Sequence, residues 1–249
     1  MRPPARAGAR VDELHAELLK AGESVPRLRA LLDVEVEETA MIGLLRRAVP
    51  VRFLELLADA YPWSDRPRVL AGIVLNRRAP RTLSLRLLPA LFWRDLADVA
   101  ANAHLSMAVR SRAEALLQEK LPEMRLGERI ALGKIATPRV LAPLLGDPDP
   151  KVARASLINP RLREQDLLLA LQSPTAPVAL MEAVAASPRW SQRYGVKLGL
   201  VLQARTPLGI ALAQLSSLLP RDLARVGGTE GLRPLVQAAA LRVAREASP

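Results

Sequence analysis

Sliding the chain on itself brings residues 27–117 into register with 154–244 without a gap, at an offset of 127, with 27 identities in 91 positions. The match peaks over 63–99 against 190–226, where 17 of 37 positions agree. A composition this biased gives roughly a tenth by chance. One segment reads Trp63-Ser-Asp-Arg-Pro-Arg-Val-Leu-Ala-Gly-Ile-Val-Leu75, the other Trp190-Ser-Gln-Arg-Tyr-Gly-Val-Lys-Leu-Gly-Leu-Val-Leu202. Arg94-Asp-Leu-Ala97 returns as Arg221-Asp-Leu-Ala224. The pattern reads as a tandem duplication, so whatever architecture one half builds, the other must build again.

A finer period lies inside each half. Pro50, Pro80, Pro138, Pro177 and Pro207 each stand three positions before an apolar residue, with starts 30 residues apart from 50 to 80 and from 177 to 207, and 39 apart from 138 to 177. Proline is tolerated at the first helical position because its missing N–H would be unpaired there anyway, and Thr137 and Thr206 just before it suit an N-cap. Leu83, Leu87, Leu88 and Leu91 fall on one helical face, as do Ile210, Leu215 and Leu218. Strand alternation and Asn-Gly or Asp-Gly hairpin turns are absent. The spacing predicts an all-α chain of about fourteen to sixteen short helices, closing each half with a helix over 105–119 and 231–246. Antiparallel pairs at this period stack into an α-solenoid. The expected organisation is a disordered basic arm over 1–10, a first half over 11–120 and a second over 121–249, in one continuous array.

Within this pattern, Gly146-Asp-Pro-Asp-Pro-Lys-Val-Ala-Arg-Ala-Ser-Leu-Ile-Asn-Pro-Arg-Leu162 resembles the turn and second helix of HEAT-like repeats and of the related leucine-rich-repeat variants. There an Asp-Pro turn precedes a Val-Arg-x-x-Ala helix; here Ala153 separates Val152 from Arg154. The resemblance implies a helical-repeat fold, which by itself implies no function.

Chemistry-bearing patterns are scarce. The chain has no cysteine and only two histidines, His15 and His104, which leaves no basis for a thiolate site or a multi-histidine metal centre. No cofactor is expected. His15 reads as part of a solvated helix face and His104 as a turn residue. Gly127-Glu-Arg-Ile-Ala-Leu-Gly-Lys-Ile135 misses a phosphate loop by one extra residue and by Ile135 where Ser or Thr belongs. Gly227-Gly-Thr-Glu-Gly231 reads as a turn, and Glu55 and Glu182 as solvated helix positions. Trp63 and Trp190 are expected to anchor a turn to the core, with Ser64 and Ser191 as helix caps and Asp95 and Asp222 opening helices where the dipole favours them.

Charge is the remaining signal. The net charge is +11, with 36 Lys+Arg against 25 Asp+Glu, a balance that favours acidic partners. Arginine-rich coding contributes to it, but acids vanish from corresponding windows, between Asp65 and Asp95 and between Glu182 and Asp222. Arg66/Arg193, Arg78/Arg205 and Arg94/Arg221 recur at the 127-residue offset, and with Lys197 they are the candidate partner- or phosphate-binding residues. The expected function is a non-enzymatic scaffold that binds a macromolecular partner, an acidic protein first, through a basic groove or edge. The alternative is nucleic-acid backbone binding. Trp-x-x-Arg on a basic HEAT-like chain also resembles the alkylpurine DNA glycosylases of this architecture, which implies aromatic side chains and a carboxylate beside a damaged base. No apolar run reaches the roughly 18 residues of a membrane span, and residues 1–10 lack a signal-peptide core. A soluble, cytoplasmic protein is expected; neither the partner's identity nor the oligomeric state is legible.

Overall fold

The computed structural model describes residues 7–246, which form 17 α-helices joined by turns, with no strand among them. The count slightly exceeds the expected fourteen to sixteen because helices as short as seven or eight residues fit between very tight turns. The arm expected over 1–10 lies outside the described residues up to residue 6, and residues 7–10 begin the first helix. No helix among the described residues is long and apolar enough to cross a membrane.

The chain divides into two compact units, one ending at Lys120 and the next opening at Leu121. The first holds α1 (Ala7–Ala21), α2 (Val25–Leu32), α3 (Glu38–Leu45), α4 (Val51–Asp59), α5 (Pro67–Leu75), α6 (Arg81–Leu87), α7 (Trp93–Ala101) and α8 (Met107–Lys120). The second holds α9 (Leu126–Ile135), α10 (Pro138–Leu145), α11 (Pro150–Leu157), α12 (Glu164–Gln172), α13 (Val178–Ala185), α14 (Tyr194–Leu202), α15 (Leu208–Leu215), α16 (Pro220–Gly227) and α17 (Pro234–Glu246). Helices two apart in sequence stack on one another. In the first unit α1, α3, α5 and α7 form one layer, while α2 packs on α4 and α6 on α8. In the second, α10, α12, α14 and α16 form a layer, against α9, α11 and α13 and the α15–α17 pair. Helix bounds follow the 127-residue offset: α5 and α14 begin and end 127 positions apart, and α3, α4, α6, α7 and α8 have counterparts in α12, α13, α15, α16 and α17.

Local chemistry explains where the helices start. Of the five expected prolines, Pro50, Pro80, Pro177 and Pro207 occupy the N-cap itself rather than the first helical position, and Pro138 sits inside the first turn, behind Thr137. An N-cap proline supplies the carbonyl for the first helical bond and fixes an extended entry without needing an N–H. Ser64 and Ser191 are not caps. Ser64 lies within a short 3₁₀ turn, Trp63–Asp65, and the caps of α5 and α14 are Arg66 and Arg193, whose side chains make no capping bond. Asp149 does cap α11, accepting from the Lys151 N–H at 2.8 Å.

The stacking is fixed by a recurring amide. Asn76, just past α5, donates through Nδ2 to the carbonyls of Leu45 (2.7 Å) and Arg47 (2.8 Å) at the end of α3, and its Oδ1 accepts from the Arg78 N–H at 2.9 Å. Gln203, just past α14, does the same for Leu171 (2.6 Å) and Ser173 (3.0 Å) at the end of α12, accepting from the Arg205 N–H at 3.2 Å. Asn159, past α11, donates to Gly133 (2.8 Å) and Ala136 (3.1 Å) around the end of α9 and accepts from the Arg161 N–H at 2.8 Å. The last carbonyls of a helix have no donor within their own helix, so one side chain satisfies its neighbour's orphans while holding its own turn. Trp190 works alike: its indole N–H donates to the Leu157 carbonyl at 2.8 Å, closing α11 from the loop after α13. Gly72 and Gly199, also 127 apart, let α5 and α14 approach the previous helix; a Cβ on Gly72 would lie 2.9 Å from Leu45 Cδ1, and one on Gly199 3.1 Å from Leu168 Cδ2.

Asn159 is fully buried, so Asn159→Ala strands two buried carbonyls and removes the acceptor of the part-buried Arg161 N–H. It should cost about 2–4 kcal/mol in urea-induced unfolding followed by circular dichroism, whereas Ala substitution of exposed Arg161 should cost well below half of that. Equal losses would remove the amide from its role.

Candidate functional site

The sequence-predicted basic residues divide by what they touch. Arg66 and Arg193, the fourth residue of each Trp-Ser-x-Arg segment, sit over the ring of the preceding tryptophan, at 5.8 Å from Trp63 and 5.3 Å from Trp190. Each also reaches the start of the previous helix in its layer, Arg66 to Glu38 at 2.7 Å and Arg193 to Glu164 at 2.8 Å. Their repeated position therefore serves the stacking of α5 on α3 and of α14 on α12. Arg221 lies 3.7 Å from Asp222, and Arg205 donates weakly to the Pro174 carbonyl at 3.5 Å. The side chains of Arg78, Arg94 and Lys197 make no hydrogen bond or ion pair with a described residue, Arg94 being the one of them that acts on Asp95. Trp63 and Trp190 are buried, at 4% and 1% exposure.

A cleft of about 700 Å³ opens along α3, α5 and α7 in the first unit. Ile42, Ala71 and Leu75 give its lining apolar surface, and Arg46, Arg47, Arg68 and Arg77 line it as well. Arg47 is tied to Asp12 at 2.6 Å. Arg46, Arg68 and Arg77 have no side-chain hydrogen bond or ion pair among the described residues. None of these four arginines recurs at the 127-residue offset: the corresponding residues are Ser173, Pro174, Gly195 and Ala204. Among the expected residues, only Asp95 lines this cleft. Residue-by-residue repetition could not find Arg46, Arg68 and Arg77; the acid-free window did contain the last two.

Asp95 is the third residue of α7, half-buried, and makes no hydrogen bond or ion pair with a described residue. Burial pushes its carboxyl above the ordinary aspartate range and Asp98 adds to the effect, against the pull of Arg68 and Arg94. Asp222 occupies the same place in α16 but is engaged. The Tyr194 hydroxyl donates to its Oδ2 and accepts from the Leu219 N–H at 3.2 Å. Desolvation first, and the Asp222 hydrogen bond second, hold that phenol protonated above its usual range. The cleft can thus bind anionic groups at its arginines, apolar groups on its apolar lining and a hydrogen-bond donor at Asp95.

The other candidates have structural occupations. His15 bonds the Ala48 carbonyl at 3.0 Å, and the His104 backbone N–H donates to Asn102 Oδ1 at 3.0 Å. Glu55 pairs with Arg52 at 2.9 Å, and Glu182 is exposed on α13. Gly127 to Ile135 is helical, with Gly133 packed against Ser156, and Gly231 turns the chain with a positive φ of 81°. Among the described residues no three His, Cys, Asp or Glu side chains gather as a metal site. No family model, no curated protein and no solved structure matches the chain.

Folded Asp95 keeps its proton to higher pH than the unfolded chain does, so ionising it costs stability as pH rises. Asp95→Asn escapes that cost. Its melting temperature should gain on the parent's at neutral pH, and the gain should shrink as pH falls through the raised carboxyl range and vanish below the ordinary one. Melts across that pH series giving a flat difference, or one growing on acidification, would contradict the burial of this charge.

Proposed function

We propose that the chain is a HEAT-like helical repeat of the leucine-rich-repeat-variant kind, duplicated in tandem into an α-solenoid, and that it works as a non-enzymatic binding protein. Its partner is an acidic segment of another protein, held in the cleft along α3, α5 and α7. Support for the repeat reading comes from the layered packing, from helix bounds that follow the 127-residue offset, and from the amide closing successive helix ends. The observation that carries the functional reading is the trio Arg46, Arg68 and Arg77, which make no side-chain hydrogen bond or ion pair with a described residue, beside apolar lining residues. Guanidinium groups not tied up in ion pairs beside apolar surface suit a ligand that brings carboxylates and side-chain bulk together.

Nucleic-acid binding is the second reading, favoured by the net charge of +11. A phosphate backbone rewards cations but has little use for an apolar lining. The tryptophans of the two Trp-x-x-Arg segments, Trp63 and Trp190, are buried and offer no face for base stacking, and Arg193 is engaged with Trp190 and Glu164. This weighs against the DNA-glycosylase form of that reading.

Fluorescence anisotropy with labelled polyglutamate and a labelled DNA duplex separates the two. Arg68→Glu with Arg77→Glu should weaken polyglutamate binding about tenfold or more with helicity unchanged, while Lys197→Glu with Arg205→Glu should leave it within about twofold. Tighter duplex binding that ignores the Arg68 and Arg77 reversals would favour nucleic acid and overturn the cleft reading.

A further inference from the structure

Two positions that align at the 127-residue offset differ in one decisive way. In the second unit, Tyr194 opens α14 and its hydroxyl bridges the start of α16, donating to Asp222 and accepting from the Leu219 N–H. In the first unit Pro67 takes the place of Tyr194, while Asp95 and Phe92 take those of Asp222 and Leu219. Proline carries no hydroxyl. Neither the Asp95 carboxylate nor the Phe92 N–H has a hydrogen-bond partner among the described residues. The same acceptor and donor therefore stand at the start of α7 without the phenol that joins them in α16, and here Asp95 faces the cleft beside Arg68. Glycine at 195, where the first unit has Arg68, leaves the second unit with the phenol and without the cation.

We propose that the cleft reads a tyrosine within its acidic protein ligand, the ligand's phenol donating to Asp95 as Tyr194 does internally for Asp222. This rests on the cleft being the site for an acidic segment. The cleft arginines hold the ligand's carboxylates and the apolar lining takes its ring, so Asp95 sets specificity rather than affinity for charge. A carboxylate among arginines would otherwise only weaken anion binding; a phenol turns it to use, because a hydroxyl can donate where another carboxylate cannot. In the second unit the internal tyrosine fills the equivalent position, so recognition belongs to the first unit alone.

The test compares two labelled peptides on the full chain, one of Glu-Glu-Tyr repeats and one of Glu-Glu-Phe repeats, which differ only in the phenol hydroxyl. The parent protein should bind the tyrosine peptide about tenfold more tightly, as one hydrogen bond to a charged acceptor implies. Asp95→Asn should reduce that preference to about twofold or less without weakening the phenylalanine peptide. Pro67→Tyr, which installs the residue the second unit uses, should reduce it in the same way by satisfying Asp95 internally. If both peptides bind the parent equally, or if the preference survives in both variants, tyrosine recognition is wrong while the acidic cleft stands. If neither peptide binds, both are wrong.

Discussion

Each helix ends with carbonyls that its own backbone cannot satisfy, and at the ends of α3, α9, α11 and α12 a side chain just past the next helix in the layer supplies missing donors. Asn76, Gln203 and Asn159 carry that constraint, with the indole of Trp190 as a variant. A side-chain amide suits the task because it donates twice and accepts once, so it can close a neighbour's end and brace its own turn together. The geometry dictates a helix length: successive stacked helices must end level with each other. Prolines mark the starts of α4, α6, α10, α13 and α15, amides align the ends of α3, α9 and α12, and buried leucines and valines fill the space between the layers.

This constraint also explains which residues repeat. Trp63/Arg66 and Trp190/Arg193 belong to the same stacking machinery, the arginine covering the indole and reaching a carboxylate at the start of the previous helix. A residue that every repeat needs is kept wherever a repeat is built. The cleft arginines obey the opposite logic. Arg46, Arg68 and Arg77 do not recur at the 127-residue offset and make no side-chain hydrogen bond or ion pair with a described residue. On the proposed reading, repetition marks architecture and its breakdown marks function.

Much of the architecture was legible. Helix class, the proline starts, the level of the closing helices and the buried leucine faces follow from periodicity and from proline's missing N–H. The amide closures were not, because a lone Asn or Gln after a helix looks like ordinary turn chemistry until its partners, about thirty residues earlier, are placed beside it. The repeated arginines point toward a basic groove or edge for the same reason. Glu38 and Glu164 lie outside the acid-free windows, and only the stacking of helices brings them to Arg66 and Arg193. Asp95 and Asp222 look alike in sequence, and what separates them is the residue at 67 or 194, a proline in one case and a phenol in the other.

The central claim is that ligand recognition is confined to the first unit's cleft although the two units share their stacking chemistry. Amide hydrogen exchange of the full chain, with and without a saturating acidic tyrosine-containing peptide, addresses it most directly. Protection is expected over residues 39–48, 68–77 and 92–95, with residues 166–175, 195–204 and 219–222 unchanged. Equal protection of both sets, or protection of the second alone, would contradict the account.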